Sequence, residues 1–347
     1  MRCDAKKMKA FCCRVMCSGG LNEANSKLFS ESLVNADMRG ISSHGVTRLK
    51  TYYKRIRDGL VDANAEPEIV SDNPALLLVD GKNGMGVSSA SYAMQACIER
   101  ARGFGACFAA IRGGNHFGYA AFFAQQAAHH GMIGIAMANG PAALPPIGGK
   151  EPMLGTNPLA IVIPTGGAVP FELDLATSVV ARGKIKLAEK EGRSIPPDWG
   201  IDKNGLPTTD PAAVKCVLPF GGAKGFGISL AIEVLCSCLS GAKNGQTMGS
   251  FYDFSGKHQD SGFFVGALNI GSIVPINKFK EGIDELLLSI KSSPLTSGCE
   301  EIFIPGEIEL YKQQAAEREG IEISEAVIKE LQELSVLCNV PFSCEIG

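Results

Sequence analysis

A histidine, an arginine and a tyrosine at four-residue spacing are the first side chains in this sequence that could do chemistry together. They lie in Ile41-Ser42-Ser43-His44-Gly45-Val46-Thr47-Arg48-Leu49-Lys50-Thr51-Tyr52-Tyr53. Gly40 closes the preceding segment, a serine is placed to cap, and Val46, Leu49, Tyr53 and Ile56 recur at helical spacing. Read as one helix, the stretch puts His44, Arg48 and Tyr52 on a single face. A fork-shaped cation beside a proton carrier suits a small carboxylic acid whose neighbouring carbon must gain or lose a proton. Taken alone, the same face is equally what a capped, solvated helix presents.

Other glycine-flanked polar residues sit at element ends. His116 lies in Gly113-Gly114-Asn115-His116-Phe117-Gly118, just past a predicted strand, where glycine lets a ligand approach the backbone. Lys224 stands among the glycines of Pro219-Phe220-Gly221-Gly222-Ala223-Lys224-Gly225-Phe226-Gly227 at a helix start, so its ammonium and free backbone N–H groups could hold a phosphate or carboxylate. Asp174 could bind ribose hydroxyls or cap the next helix. His129 and His130 fall in the last turn of a helix and read as structural. His258 lies in a polar stretch and reads as solvated.

Several chemistries are excluded. Neither Gly81–Gly86 nor Gly221–Gly227 is a strand-linked GxGxxG or a Walker loop. HExxH, GxSxG and paired CxxC are absent, which removes zinc-protease, serine-hydrolase and zinc-structural readings, so no metal is expected. The 33 basic and 36 acidic residues are mixed, with a net charge of −3, so neither nucleic acid nor an anionic membrane is an electrostatic partner. The twelve cysteines are scattered and read as reduced, mostly buried thiols of a cytoplasmic protein. No apolar signal core follows the basic N-terminus, and the longest apolar run, Phe226 to Leu239, is broken by Glu233 and too short for a bilayer.

The elements that must position these residues follow from pattern. A chain of 347 residues suggests two domains. Helices are expected over Met1–Cys17, Asn22–Met38 with Asn22 as N-cap, and the His44 stretch, with a boundary near residue 70. Strands are predicted at Ala75–Asp80, Ala106–Ile111, Met132–Ala138, Leu159–Pro164, Val169–Leu175 and Gly262–Ile270. Between them lie a helix over Ser88–Ala101, an alanine-rich helix from Tyr119 to His130, a helix capped by Thr177 or Ser178, and a buried helix from Lys224 toward Gly241. Gly140–Pro158 is too rich in proline and glycine for regular structure and reads as a working loop. Gln246–Ser261 reads as a surface excursion. Helices near 280–292, 306–319 and 324–337 complete the chain.

Six blocks in this order resemble the type-2 malate/L-lactate dehydrogenase family: Ala36–Gly45, Gly114–Gly118, Gly155–Pro158, Asp174–Ser178, Pro207–Pro211 and Gly221–Gly225. The match runs from about residue 20 to 340. The resemblance implies an α/β, non-Rossmann NAD(P)-binding fold. Its mixed or antiparallel sheet would span residues 71–279 and pack on a helical domain built from residues 1–70 and about 280–347. It also implies a homodimer that moves hydride between NAD or NADP, NAD favoured, and a small 2-hydroxy or 2-oxo acid, malate or lactate first. His44 and His116 would be the catalytic pair, and Arg48 the carboxylate anchor, with Ser43, Tyr52, Thr156 and Asn157 around the substrate. Asp174, Leu175, Ala176, Lys224, Gly225, Pro305, Gly306, Glu307 and Ile308 would hold the cofactor. Gly140, Ile147 and Ala223 depart from what some branches carry, so no particular acid is carried over. Reductases of keto-sugar acids or cyclic imines share the scaffold, and a non-catalytic metabolite binder is the alternative from another class.

Overall fold

The computed structural model describes residues 1–167 and 169–344. A short strand, β1 (Arg2–Cys3), leads into α1 (Ala5–Ser18), α2 (Glu23–Met38) and α3 (Leu49–Arg57). The first two helices start where the sequence offers a short acceptor side chain. Asp4 accepts the Lys7 amide at 2.8 Å and Asn22 the Asn25 amide at 2.8 Å.

Next come β2 (Glu68–Asp72), β3 (Leu76–Asp80), α4 (Gly86–Phe104), β4 (Ala106–Gly114), α5 (Ala121–His129), β5 (Met132–Ala138), β6 (Leu159–Ile163) and β7 (Phe171–Leu175). They are followed by α6 (Arg182–Lys190), the small ribbon of β8 (Gly200–Ile201) and β9 (Cys216–Val217), and α7 (Ala223–Glu233). The chain closes with β10 (Ser261–Asn269), α8 (Ile276–Lys291), α9 (Glu307–Glu319), β11 (Ile321–Glu322) and α10 (Glu325–Cys338).

Seven strands form one sheet in the order β2-β3-β4-β10-β5-β6-β7. Only β3 and β4 run parallel; the other pairs are antiparallel, so the expected mixed sheet is present. The late strand β10 sits at the centre, and alternate residues Phe263, Val265 and Ala267 are fully or almost fully buried. Gly266 on that strand must lack a side chain, because a Cβ there would lie 2.2 Å from the Phe108 ring of β4.

Helices α4 and α5 pack on the sheet. The first helices pack with the last: α10 touches α1 and α3, α9 touches α2, and β1 pairs with β11. One apolar core, containing Phe11, Leu49, Val79, Ile98, Phe263 and Leu334, runs through both groups.

Three expectations change. The helix after β7 begins only at Arg182, and neither Thr177 nor Ser178 caps it: Ser178 Oγ donates to Val180 O at 2.9 Å instead. α7 is not wholly buried. Ile228 and Leu230, with Val234 and Leu239 of its continuation, keep 38 to 48% of their surface. The Gln246–Ser261 excursion is not all surface: Met248, Phe251, Gln259 and Ser261 are among its buried residues.

Candidate active site

His44, Arg48 and Tyr52 do not ride one helix. Ser42–His44 and Val46–Arg48 are two short 3-10 turns separated by Gly45 in extended conformation, and α3 starts only at Leu49. No serine caps these turns. The break is held from α2: Asp37 Oδ2 accepts the Val46 amide at 2.7 Å, and a Cβ on Gly45 would collide with the Asp37 carboxylate. His44 therefore does not stand at the N-terminus of an α-helix.

The three side chains nevertheless converge, with His116 as the fourth. The rings of His44 and His116 stack with centroids 5.6 Å apart and planes 14° apart. Ser43 Oγ is 2.9 Å from His44 Nδ1, and Arg48 Nε donates to Ser43 O at 2.7 Å. The Tyr52 hydroxyl bonds His116 Nδ1, and the Gly118 amide also donates to that nitrogen, at 3.3 Å. Nδ1 of His116 is thus an acceptor, so in the neutral ring the proton sits on Nε2.

Both imidazoles are held neutral. Burial first, then the Arg48 guanidinium, pushes His44 down to about 4, and burial with neighbouring His44, Arg48 and Arg55 drives His116 well below its ordinary value.

The wall facing this cluster comes from the segment read as a surface excursion. Phe251 packs on His116 at 4.7 Å and on Tyr52 at 4.9 Å between centroids. The Arg48 guanidinium carbon lies 5.7 Å from the Phe251 ring centre and 5.1 Å from that of Tyr252. Gln259 Oε1 accepts the His116 amide at 3.0 Å. A buried aromatic in a polar stretch was the available signal. His258 is exposed, as expected.

A second group of blocks is stitched together by backbone bonds. Thr156 O accepts the Thr177 amide at 3.1 Å, Thr177 O accepts the Phe220 amide at 3.1 Å, and Ser178 bridges to Pro219. This ties Thr156, the Asp174-Leu175-Ala176 segment and the Lys224 turn to one another. Lys224 is exposed at the start of α7, after Gly221 and Gly222 at φ of 56° and 62°, and no side chain caps that helix. Pro305 O accepts the Glu172 amide at 2.9 Å, which brings the Pro305 loop to β7. The Gly222, Lys224, Gly225 and Phe226 amides donate to carbonyls of the turn itself, so the expected free N–H groups are mostly occupied; the Lys224 ammonium and a glycine turn without side chains are what fit the pyrophosphate of a dinucleotide here.

Other expected residues have different work. Asn157 is fully buried; its amide donates to Ser229 O and Glu233 and accepts from Gly140, so it holds the loop and does not face a substrate. The Glu307 carboxylate is engaged by Lys291, the Ile304 amide and Tyr311, which occupies it in anchoring its own loop. Asp174 is exposed and its Oδ2 accepts from Ala121 at 3.2 Å, capping α5 and not the helix after β7. Gly225 is required because a Cβ would meet Phe220 O at 2.2 Å. Leu175 and Ala176 are half-buried, and Pro305 and Ile308 are exposed beside Gly306.

Residues 3–332 match the malate/L-lactate dehydrogenase family. The chain belongs to it. An L-sulfolactate dehydrogenase of Methanocaldococcus jannaschii is 38% identical over 322 residues, covering 92% of this chain and 91% of the relative. A ureidoglycolate dehydrogenase (NAD(+)) of Escherichia coli K12 is 34% identical, covering 91% and 90%. The crystal structure of malate dehydrogenase from Entamoeba histolytica superposes with a TM-score of 0.94 at 30% identity, covering 99% of each chain. The chain is therefore an oxidoreductase of this malate/L-lactate dehydrogenase family. The relatives' names include both NAD(+) and NADP(+) as cofactor. Among the described residues no helix is long and apolar enough to cross a membrane, and no His/Cys/Asp/Glu group could hold a metal.

Asp37, which the sequence reading passed over, allows a test of how the histidine turn is held. Burial raises its carboxyl from 3.8 to about 7, partly offset by the Val46 amide. Between those pH values the folded protein keeps a proton that the unfolded chain has released, so this group makes stability fall as pH rises from about 4 to 7. Asp37→Asn keeps an acceptor for Val46 without the charge. The variant should match wild type near pH 4 and be more stable at pH 8, read as denaturation midpoints at the two pH values.

Proposed function

We propose that the protein is an NAD(P)-dependent dehydrogenase of small 2-hydroxy acids, malate or lactate first, with NAD favoured. One observation carries the reading: two neutral, stacked imidazoles lie beside a guanidinium whose flat fork matches a carboxylate. Arg48 anchors the acid's carboxylate, with Ser43, Tyr52 and Thr156 around it. His116 donates its Nε2–H to the C2 oxygen and stabilises charge developing there. His44 takes the hydroxyl proton in oxidation and returns it in reduction. Among the described residues its Nδ1 meets the Ser43 hydroxyl, which can donate or accept, so His44 can change protonation without losing that bond. A carboxylate on Arg48 would offset the positive field that depresses His44, raising its basicity as substrate binds.

A nicotinamide dinucleotide, when bound, supplies the hydride donor or acceptor. Its pyrophosphate would lie at the α7 N-terminus by Lys224 and Gly225, with Asp174, Leu175, Ala176 and the Pro305–Ile308 loop lining the rest. The described residues divide in this reading into a helical unit, 1–70 with 280–347, and a sheet unit, 71–279. The exposed apolar residues of α7 support a homodimer, and the free cysteines support a cytoplasmic setting.

The test is a panel of oxaloacetate, pyruvate, sulfopyruvate, ketogulonates and cyclic imines with NADH or NADPH. Loss of nicotinamide absorbance is expected with a 2-oxo acid. Turnover of the imines or keto-sugar acids alone would replace the substrate, and no turnover with any of them would remove the dehydrogenase reading. Light scattering reads the dimer.

A further inference from the structure

α3 braces the histidine pair from two sides, and only one side has been accounted for. Tyr52 meets His116 directly. Three residues on, Arg55 is completely buried; its charge adds to the field that keeps His116 neutral, but its hydrogen bonds go elsewhere. Its Nη1 donates to three carbonyls of one short segment: Ser250 O at 3.4 Å, Phe251 O at 3.2 Å and Asp253 O at 3.0 Å. Its Nε and Nη2 have no partner among the described residues, and its guanidinium carbon is 5.9 Å from the Phe251 ring centre.

Burying a cation costs stability, offset here only in part by the Asp253 carboxylate, and an apolar side chain of similar volume would fill the space more cheaply. All of its directed bonds converge on Ser250–Asp253, a segment with no regular helix or strand of its own. That segment carries Phe251 onto His116, Tyr52 and Arg48, and Tyr252 onto Arg48.

We infer that Arg55 is a positioning residue: it latches the Ser250–Asp253 segment so that Phe251 closes over His44 and His116 and keeps water from the pair. It touches no reacting atom and acts through Phe251. The assignment of the pair as the reacting groups rests on the dehydrogenase reading above; the latch itself does not. Water exclusion is what lets fixed charges and dipoles act at full strength in such a site, and a wall free to shift by an ångström loses much of that.

Arg48 and His116 flank His44, and Tyr52, Arg55 and Phe251 stand around His116, so the titration of His44 reports on the wall. The chain has five histidines, which makes an NMR titration of imidazole C–H resonances tractable. In wild type His44 titrates near 4. In Arg55→Met its midpoint should rise by about one pH unit or more, from the lost charge and returning water together, and Phe251→Leu, which removes no charge, should also raise it as water re-enters. Turnover of the 2-oxo acid should fall about tenfold to a hundredfold in each. In the double variant the loss should stay close to that of the worse single one, because both break one device.

An unmoved His44 midpoint in folded Arg55→Met, or losses that multiply in the double variant, would overturn the latch. If Arg55→Met does not fold, Arg55→Lys decides: it keeps the charge but not the planar fork, so a raised midpoint supports the latch and an unchanged one overturns it. A shifted midpoint in a protein that turns over nothing would leave the latch standing and remove the dehydrogenase reading.

Discussion

His44→Ala should lower turnover of the 2-oxo acid by about 10²- to 10⁴-fold, the usual contribution of a positioned proton carrier, while dinucleotide affinity, read by fluorescence titration, stays near wild type. The argument for His44 over His116 is one of hydrogen bonds. His116 Nδ1 already accepts from Tyr52 and the Gly118 amide, and an imidazolium there would point a proton at a backbone N–H. His44 has no such obstacle. His116→Ala should also cost activity, but through lost polarisation of the oxygen, and the remaining activity should keep the pH dependence set by His44.

That dependence has a definite sign. Oxidation needs neutral His44, so kcat/KM for the hydroxy acid should fall only below about pH 4, far under the ordinary histidine value. The kcat limb, which reports the complex, should lie higher, because bound carboxylate offsets Arg48. An acid limb of kcat/KM that survives unchanged in His44→Ala would assign it to another group.

Arg48→Ala should raise KM for the acid by about tenfold to a hundredfold, the equivalent of a lost charge-assisted hydrogen bond worth about 1.5–3 kcal/mol. Its effect on kcat should be smaller and arise from misorientation. Arg48→Lys should recover little of the KM. The guanidinium is flat, lies against Phe251 and Tyr252, and spends Nε on Ser43 O; a lysine ammonium can reproduce neither the stacking nor the fork. Initial rates over a range of acid at saturating dinucleotide separate the two parameters. An unchanged KM in Arg48→Ala would place the carboxylate elsewhere.

Both predictions rest on residues visible in the sequence, while the geometry that makes them work was not. Helical spacing suggested that His44, Arg48 and Tyr52 share a face, and they do converge. They converge through a glycine break held by Asp37, because local periodicity cannot register a carboxylate nine residues upstream that competes for the Val46 amide. The strands were legible as short apolar runs, with alternation at Phe171–Leu175, but their order was not, since β10 enters the centre only after the other six strands are made. Asn157 and Glu307 were expected as ligand residues only because the family resemblance implied it. Burial turns both into supports for those loops. Phe251 and Arg55 escaped notice because their meaning lies in contacts 195 to 198 residues apart along the chain.

The pairing of β1 with β11 and the packing of α10 on α1 and α3 also bear on synthesis. Helices α1 to α3 leave the ribosome with apolar residues such as Phe11, Leu49 and Ile56 facing nothing, and part of their cover, α10, is made only after every strand of the large sheet. For most of translation this surface is open to the wrong partner, which is the condition under which a nascent chain draws on chaperones. The same delay means that a ribosome-bound fragment lacking β10 and α10 holds His44 and His116 in its sequence with no completed wall to bring them together.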